Sequence, residues 1–311
     1  MYSNTFWSFF QVALLCLSLL SLVTARPPNE STAPTKPSTI QLRSEVVKTT
    51  LPPRKSGRGR TGNPSTTSFV ELQLNLCNSG FAGCYKDGKS IPEGSARIYT
   101  TGPNLVTVNE ICLNDVTKHL QPALAEAWPD DYTYSVFMPA LYKGNDTAYR
   151  CRGFKDFYGS AVIGRVAAAK WRGVTAYGGK YATQAAASNE ARTFACAEAE
   201  GDHFGCVTHL AATPPETALA QCKALMFDAV PYLKAVSGAA GKTVVGGDFN
   251  LKYDKGSSTN VQLCVPNGYT RKGDGDVQHI IAMNSLVFQD TDHGGMMYTD
   301  HPWFSADFTV R

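Results

Sequence analysis

The sequence holds no Cys-x-x-Cys pair, which argues against a cysteine scaffold for zinc. It shows no internal repeat, which sets aside solenoid and propeller arrays. The apolar run Phe9–Val23 is too short to span a bilayer comfortably. Aromatic residues are all but absent from residues 26–65, so that stretch has little with which to build a core. Positive charge is scarce where a polyanion would need it. Residues 1–65 hold 8 of the 29 Lys/Arg and 2 of the 26 Asp/Glu, a net +6; the rest carries 21 basic against 24 acidic residues, a net −3. The basicity therefore sits in the tail, and the remainder lacks the strong charge of a dedicated polyanion binder.

What is present is ordinary globular composition. The chain has 311 residues, 43% hydrophobic and 18% charged, enough for a sizeable core. Val23-Thr24-Ala25 follows the apolar run with a small-x-small pattern, so residues 1–25 read as a secretory signal peptide. Met1–Trp7 lacks Lys and Arg, and an uncleaved membrane anchor is the alternative. Residues 26–65, rich in Pro, Ser, Thr and Gly, read as a disordered linker or propeptide. Within them Arg54-Lys55-Ser-Gly-Arg58-Gly-Arg60 reads as a processing site, an electrostatic tether or a solvated tail. Residues 66–311 then form one compact domain. Asn29 and Asn145 open glycosylation sequons, which fits a secreted, extracellular protein.

Of nine cysteines, Cys16 lies in the signal segment and eight remain. An even set in a secreted chain implies up to four disulfides. Nearness in sequence suggests Cys77–Cys84 and Cys196–Cys206, the second tying a hairpin.

Strand signals recur along the domain: Phe69–Leu76, Leu105–Val108, Tyr132–Pro139, Ser160–Val166, Thr193–Ala197, Phe204–Leu210, Thr243–Val245, His279–Phe288 and Ser305–Val310. In the first, Val70, Leu72, Leu74 and Leu76 alternate with Glu71, Gln73 and Asn75, the pattern of a half-buried strand. Helices are expected over Asp115–Ala127 and from Pro214-Pro215 to about Ala235. The interleaving argues for an α/β (α+β) sandwich.

Polar residues recur where strands end. Thr243–Val245 runs into Gly246-Gly247, read as a tight turn, and then Asp248 and Asn250. Asn75 and Glu110 close the first two strands, His209 a later one, and Asp300-His301 precedes the last. Each residue has a bland reading: a turn amide, a helix-leading carboxylate, a core histidine, an Asx-turn. Together they form a coherent set. Asn75, Glu110 and Asp300 offer the hard oxygens that Mg²⁺ accepts. Two histidines exchange protons near neutral pH. A cation, a base and an acid are what hydrolysis of a phosphate ester by water requires.

The ordered series Leu74-Asn75-Leu, Val108-Asn-Glu110, Gly159-Ser-Ala-Val-Ile-Gly-Arg165, Val207-Thr-His209-Leu, Gly247-Asp-Phe-Asn250 and Thr299-Asp-His301 resembles the endonuclease/exonuclease/phosphatase superfamily, which includes the pancreatic-type deoxyribonucleases. The resemblance implies a four-layer sandwich of two packed mixed β-sheets flanked by helices. It implies that Asn75 and Glu110, with Asp300 near them, hold Mg²⁺ (Mn²⁺ or Ca²⁺ are alternatives). Asp248 and Asn250 are then expected to orient the nucleophile and the scissile phosphate. His301 becomes the general base, supported by Asp300, and His209 the second histidine, binding phosphate or acting as acid. Arg192 matches a family arginine and becomes a substrate-binding candidate. Gln278-His279 stands where many members carry Ile-Asp, a departure in the supporting residues; Asp276 is a possible substitute. The function so implied is a secreted, monomeric, metal-dependent phosphodiesterase, most simply an endonuclease on DNA. Alternatives are a sphingomyelinase-like phospholipase or a sugar or inositol phosphatase, for which exposed Trp303 or Tyr298 would speak, and a non-catalytic binding module.

Overall fold

The structure, a computed structural model, describes residues 33–54, 67–153 and 156–311. The signal segment, Asn29 and the basic run from Lys55 to Arg60 lie outside the described residues. In chain order the strands are β1 (Ile40–Leu42), β2 (Val47–Leu51), β3 (Ser68–Asn75), β4 (Leu105–Cys112), β5 (Asp131–Pro139), β6 (Leu141–Tyr142), β7 (Tyr158–Ala167) and β8 (Val174–Tyr181). They continue as β9 (Glu190–Ala191), β10 (Thr193–Ala199), β11 (His203–His209), β12 (Lys242–Asp248), β13 (Tyr269–Gly273), β14 (Gln278–Met283), β15 (Leu286–Gly294) and β16 (Trp303–Val310). Three longer helical stretches join them: α1 (Ser90–Thr101), α2 over 113–127 and α3 over 215–237.

Two seven-stranded sheets form, ordered β1-β8-β10-β11-β12-β14-β13 and β15-β16-β3-β4-β7-β5-β2. Each is mostly antiparallel with one parallel pair at its centre, β11 with β12 and β3 with β4. Three apolar cores separate four layers. One lies between the sheets, around Phe69, Leu105, Val207, Val244 and Ile280. A second joins β3 and β4 to α1 and α2 through Leu72, Leu74, Ile98, Val106, Val108 and Leu120. A third joins the other sheet to α3 through Phe194, Phe204, Cys222, Leu225, Val245 and Ile281. The result is a sandwich of two mixed sheets with helices outside.

Four local expectations need correction. The stretch 26–65 is not wholly a linker: β1 pairs with β8 and β2 with β5, each closing a sheet edge. Ile40 is buried beside Tyr181, and the compact unit runs from Pro34 to Arg311. A short strand that borrows its partner from a distant element leaves too weak a local signal among prolines and serines. His279–Phe288 is two strands in different sheets, parted by a turn at Asn284-Ser285. Gly246 and Gly247 do not end their strand; β12 runs through both to Asp248. A Cβ on Gly246 would lie 2.0 Å from Glu71 Oε1, and one on Gly247 2.0 Å from the Thr208 carbonyl, so close approach requires the glycines. Finally, the polar face of β3 does not meet solvent. Glu71, Gln73 and Asn75 are fully buried between the sheets.

That buried polar row is a hydrogen-bonded seam. Thr107 Oγ1 lies 2.9 Å from Glu71 Oε1 and 2.5 Å from Gln73 Oε1. Gln73 Nε2 donates to Asn109 Oδ1 at 2.8 Å, and the same oxygen accepts from the Asp248 backbone N–H at 2.8 Å. Burial pushes the Glu71 carboxyl up to about 8, against the Thr107 hydrogen bond. A threonine hydroxyl has one proton. With Glu71 protonated, Glu71 donates to Thr107 and Thr107 donates to Gln73.

Candidate active site

The two parallel pairs end at the same edge of the sandwich. In one sheet Asn75 stands opposite Asn109, one residue before Glu110; in the other His209 stands opposite Asp248. Asn109 bridges the two: its Nδ2 donates to Ser160 Oγ at 3.0 Å and to the Thr208 carbonyl at 2.9 Å, while its Oδ1 holds the Asp248 N–H. Two strand ends from each sheet are thereby pinned around one point.

Local backbone turns complete the convergence. The β4–β7 register shifts between Val108 and Ile111, and Glu110 sits at φ 54° in this bulge, which aims its side chain into the cleft. Asn250, at φ 50°, folds back so that its N–H donates to Asp248 Oδ1 at 2.9 Å and its Nδ2 to the Leu210 carbonyl at 3.0 Å. Asparagine tolerates this left-handed geometry better than most residues. Thr299 Oγ1 donates to the Asn75 carbonyl at 2.9 Å, which fixes the loop carrying Asp300 and His301 against β3.

Asn75 Nδ2 donates to Glu110 Oε1 at 3.1 Å and to Asp248 Oδ2 at 3.0 Å. The same Asp248 oxygen lies 3.9 Å from His209 Nε2 and 3.6 Å from His301 Nε2, and Glu110 Oε1 lies 3.9 Å from His209 Nε2. Burial raises the pKa of both Glu110 and Asp248, although Asn75 bonds to each. Two carboxylates pushed up by burial around one amide form a set of hard oxygen donors short of positive charge. That donor set fits a divalent cation such as Mg²⁺.

Arg192 Nη1 contacts Glu190 Oε1 and His209 Nδ1, each at 2.8 Å. A guanidinium only donates, so His209 Nδ1 accepts and the ring proton resides on Nε2, facing the cleft. Burial first, then Arg192 and His301, hold the His209 pKa well below the ordinary imidazole value. His209 is thus a neutral ring presenting an N–H.

Asp300 Oδ1 lies 3.8 Å from His301 Nε2, but its side chain is 60% exposed and does not line the cleft. Its carboxylate also neighbours the sulfurs of Cys77 and Cys84, which are joined to each other and offer no thiolate. Gln278, in the Gln278-His279 pair that stands in place of Ile-Asp, is buried; its Nε2 donates to the Pro302 carbonyl at 2.6 Å, next to His301. A carboxylate has no N–H for that bond. Asp276 does not take its place; it pairs with Lys252 at the surface, 2.7 Å away. Trp303 is buried beneath Arg97, and Lys89 lies over the Tyr298 ring.

The cleft over these groups has a volume of about 380 Å³. Sequence reasoning missed part of its lining: Phe81, Tyr149, Tyr158 and Glu190. Their only sequence signal was aromatic residues beside cysteines, at Phe81 between Cys77 and Cys84 and at Tyr149 before Cys151. Four disulfides are present: Cys77–Cys84, Cys112–Cys151, Cys196–Cys206 and Cys222–Cys264. Among the described residues no helix is long and apolar enough to cross a membrane. Asn145 is exposed, with its Oδ1 accepting from Thr147.

No family model matches the sequence, and no curated protein matches it at a significant level. Solved structures do. The human Nocturnin catalytic domain with bound sulfate anion is 15% identical with a TM-score of 0.53, over 85% of this chain and 97% of that one. An endonuclease/exonuclease/phosphatase family protein from Bacteroides thetaiotaomicron is 12% identical with a TM-score of 0.50, over 79% and 98%. A functionally unknown conserved protein from Enterococcus faecalis V583 is 12% identical with a TM-score of 0.52, over 78% and 100%. At such identities the likeness is one of fold, and the chain has the fold of the endonuclease/exonuclease/phosphatase superfamily.

Proposed function

We propose that this chain is a secreted, monomeric, divalent-metal-dependent phosphodiesterase, an endonuclease that cleaves DNA by a histidine-activated water. One observation carries the reading: two histidines turn Nε2 toward a single buried carboxylate, Asp248, at 3.9 and 3.6 Å, with Glu110 beside them. A core histidine has no reason to meet a second histidine and two acids at an open cleft. The Bacteroides neighbour is an endonuclease/exonuclease/phosphatase family protein, which supports the same chemistry. Four disulfides support an extracellular setting.

In this reading Glu110, joined by Asp300, would hold the cation, which would neutralise charge on the phosphate oxygens. Asn75, whose Nδ2 bonds Glu110 and Asp248 while its Oδ1 accepts from the Cys77 N–H, would set the carboxylates in place rather than ligate. Asp248, locked by the Asn109 and Asn250 hydrogen bonds, orients the attacking water. His301 takes the water's proton. His209 donates its Nε2–H to a phosphate oxygen, and Arg192 fixes that tautomer while adding positive charge.

Plasmid nicking tests this. With Mg²⁺ the protein converts supercoiled DNA to the open circle, and EDTA abolishes it. His301→Ala and His209→Ala each lower the rate about 10³-fold without changing the melting temperature. A second reading has one observation behind it: Phe81, 57% exposed at the cleft mouth, also suits a choline headgroup. Inertness on DNA with release of phosphocholine from sphingomyelin selects that reading.

A further inference from the structure

One flank of the cleft is a continuous aromatic wall. Phe81 is followed edge-on by Tyr149 at a centroid distance of 6.5 Å. Tyr149 stacks on Tyr142 at 4.2 Å and meets Tyr158 edge-on at 5.9 Å. Phe81, Tyr149 and Tyr158 line the same cleft as His209, Asp248 and His301. Several large apolar side chains are exposed, and among the described residues Phe81 is the one of them that lines the cleft.

The loop that carries it is held rigid. Cys77–Cys84 closes it covalently. Ser79 Oγ accepts from the Phe81 N–H at 3.2 Å, and the Ser79 carbonyl accepts from the Arg152 N–H at 2.8 Å. Gly80, at φ 86°, lies so close to Arg152 that a Cβ there would stand 2.4 Å from the Arg152 Cβ. Cys112–Cys151 ties the Arg152 segment to β4, two residues beyond Glu110. Two disulfides thus set the aromatic wall at a fixed position relative to the residues proposed to bind the cation.

We infer that Phe81, backed by Tyr149, is a stacking platform for an unpaired nucleobase next to the scissile phosphate, and that the preferred substrate is single-stranded nucleic acid. This rests on the phosphodiesterase reading of the same cleft and narrows it. The wall is one-sided, and its rings meet edge-on, so Phe81 offers a single ring for one planar base and no cage; a quaternary ammonium needs rings around it and a free carboxylate. The cleft carboxylate on that side, Glu190, is committed to Arg192 at 2.8 Å. Aromatic stacking is tolerant of base identity and tracks single strands, since every base has a π-face. In a duplex the bases beside the phosphate are stacked on their neighbours and unavailable to a wall at the rim.

Two measurements test this. In the first, Phe81→Trp is titrated in EDTA with single-stranded oligothymidylate, and the added tryptophan emission is followed against wild type. Quenching is expected with the single strand, and none with inorganic phosphate, with the matching duplex or with phosphocholine vesicles. In the second, Mg²⁺-dependent cleavage is compared on a single strand, its duplex, and the same strand with abasic residues flanking the scissile bond. Phe81→Ala is expected to raise KM on the single strand about 10-fold or more, leave kcat within a few-fold, and abolish the preference over duplex. On the abasic strand wild type and Phe81→Ala should behave alike. Equal KM for Phe81→Ala and wild type on the base-bearing strand overturns the platform, and active wild type then leaves the phosphodiesterase reading intact. Quenching by phosphocholine vesicles in place of the oligonucleotide also overturns it and assigns the wall to a lipid headgroup. Quenching by the oligonucleotide with no cleavage of any phosphodiester keeps the platform and rejects the enzyme.

Discussion

Strand β11 begins and ends on a histidine, and the two ends are not equivalent. His203 is buried at one end with both ring nitrogens engaged, Nδ1 with Asp202 at 2.8 Å and Nε2 with the Tyr134 hydroxyl at 2.5 Å. His209, six residues later, has Nδ1 engaged by Arg192 while Nε2 faces the cleft, 3.9 Å from Glu110 and Asp248. Both rings are buried and both are held below the ordinary imidazole pKa, chiefly by burial. Burial and pKa therefore do not separate a structural histidine from a reactive one here. Saturation does: a ring with two satisfied nitrogens has nothing left to offer a substrate, and a ring with one open N–H at a cleft has.

The sharpest way to break this contrast is to remove each ring. His209→Ala should cost about 10³-fold in DNA cleavage with little change in melting temperature. His203→Ala should do the reverse: about 3 kcal/mol of stability lost in urea unfolding, since it opens a cavity and strands the buried Tyr134 hydroxyl, while Asp202 keeps Lys242 at 3.2 Å, with cleavage per folded molecule nearly unchanged. Equal activity losses in the two variants would erase the distinction.

The seam between the two ends sharpens it through pH. Glu71 ionises near 4.5 when unfolded and is pushed up to about 8 in the fold by burial. Below 4.5 both states are protonated. From there to 8 the unfolded chain releases the proton and the fold does not, so stability falls as pH rises and the full cost is present above 8. Glu71→Gln should match wild type near pH 4 and exceed it progressively to pH 8, by about 4 kcal/mol. A pH-independent difference would show that Glu71 is not the titrating group. The smallest effect is expected of Tyr134→Phe, which removes one hydroxyl from a saturated ring and should cost about 1 kcal/mol in thermal unfolding, with no change in cleavage.

Much of the sandwich was legible because its strands are strongly patterned and end in chemistry-bearing residues. Asn75, Glu110, His209, Asp248 and His301 stood out as polar residues at strand ends or just before a strand; the last four line one cleft, and Asn75 lies buried beneath, bonded to Glu110 and Asp248. Cys77–Cys84 and Cys196–Cys206 were readable from nearness, the second as a cross-strand pair. Cys112–Cys151 and Cys222–Cys264 were not, since each joins elements about 40 residues apart. Where reading failed, a partner was missing from view. The polar face of β3 looked solvated because alternation reports that two faces differ, not what each one meets. Gly246 looked like a turn because its real constraint, the Glu71 and Thr107 side chains, comes from the other sheet. β1 and β2 hid among prolines because an edge strand takes its hydrogen bonds from a neighbour far along the chain.

Local pattern decided which stretches of the domain carry its central strands and which polar side chains stand near their ends, because burial and backbone periodicity act over a few residues. Packing of one sheet against the other decided the rest. It settled which histidine is saturated, which carboxylates share an amide, and which phenyl ring borders the cleft, since each depends on atoms from strands that are far apart in sequence and 3 or 4 Å apart in space.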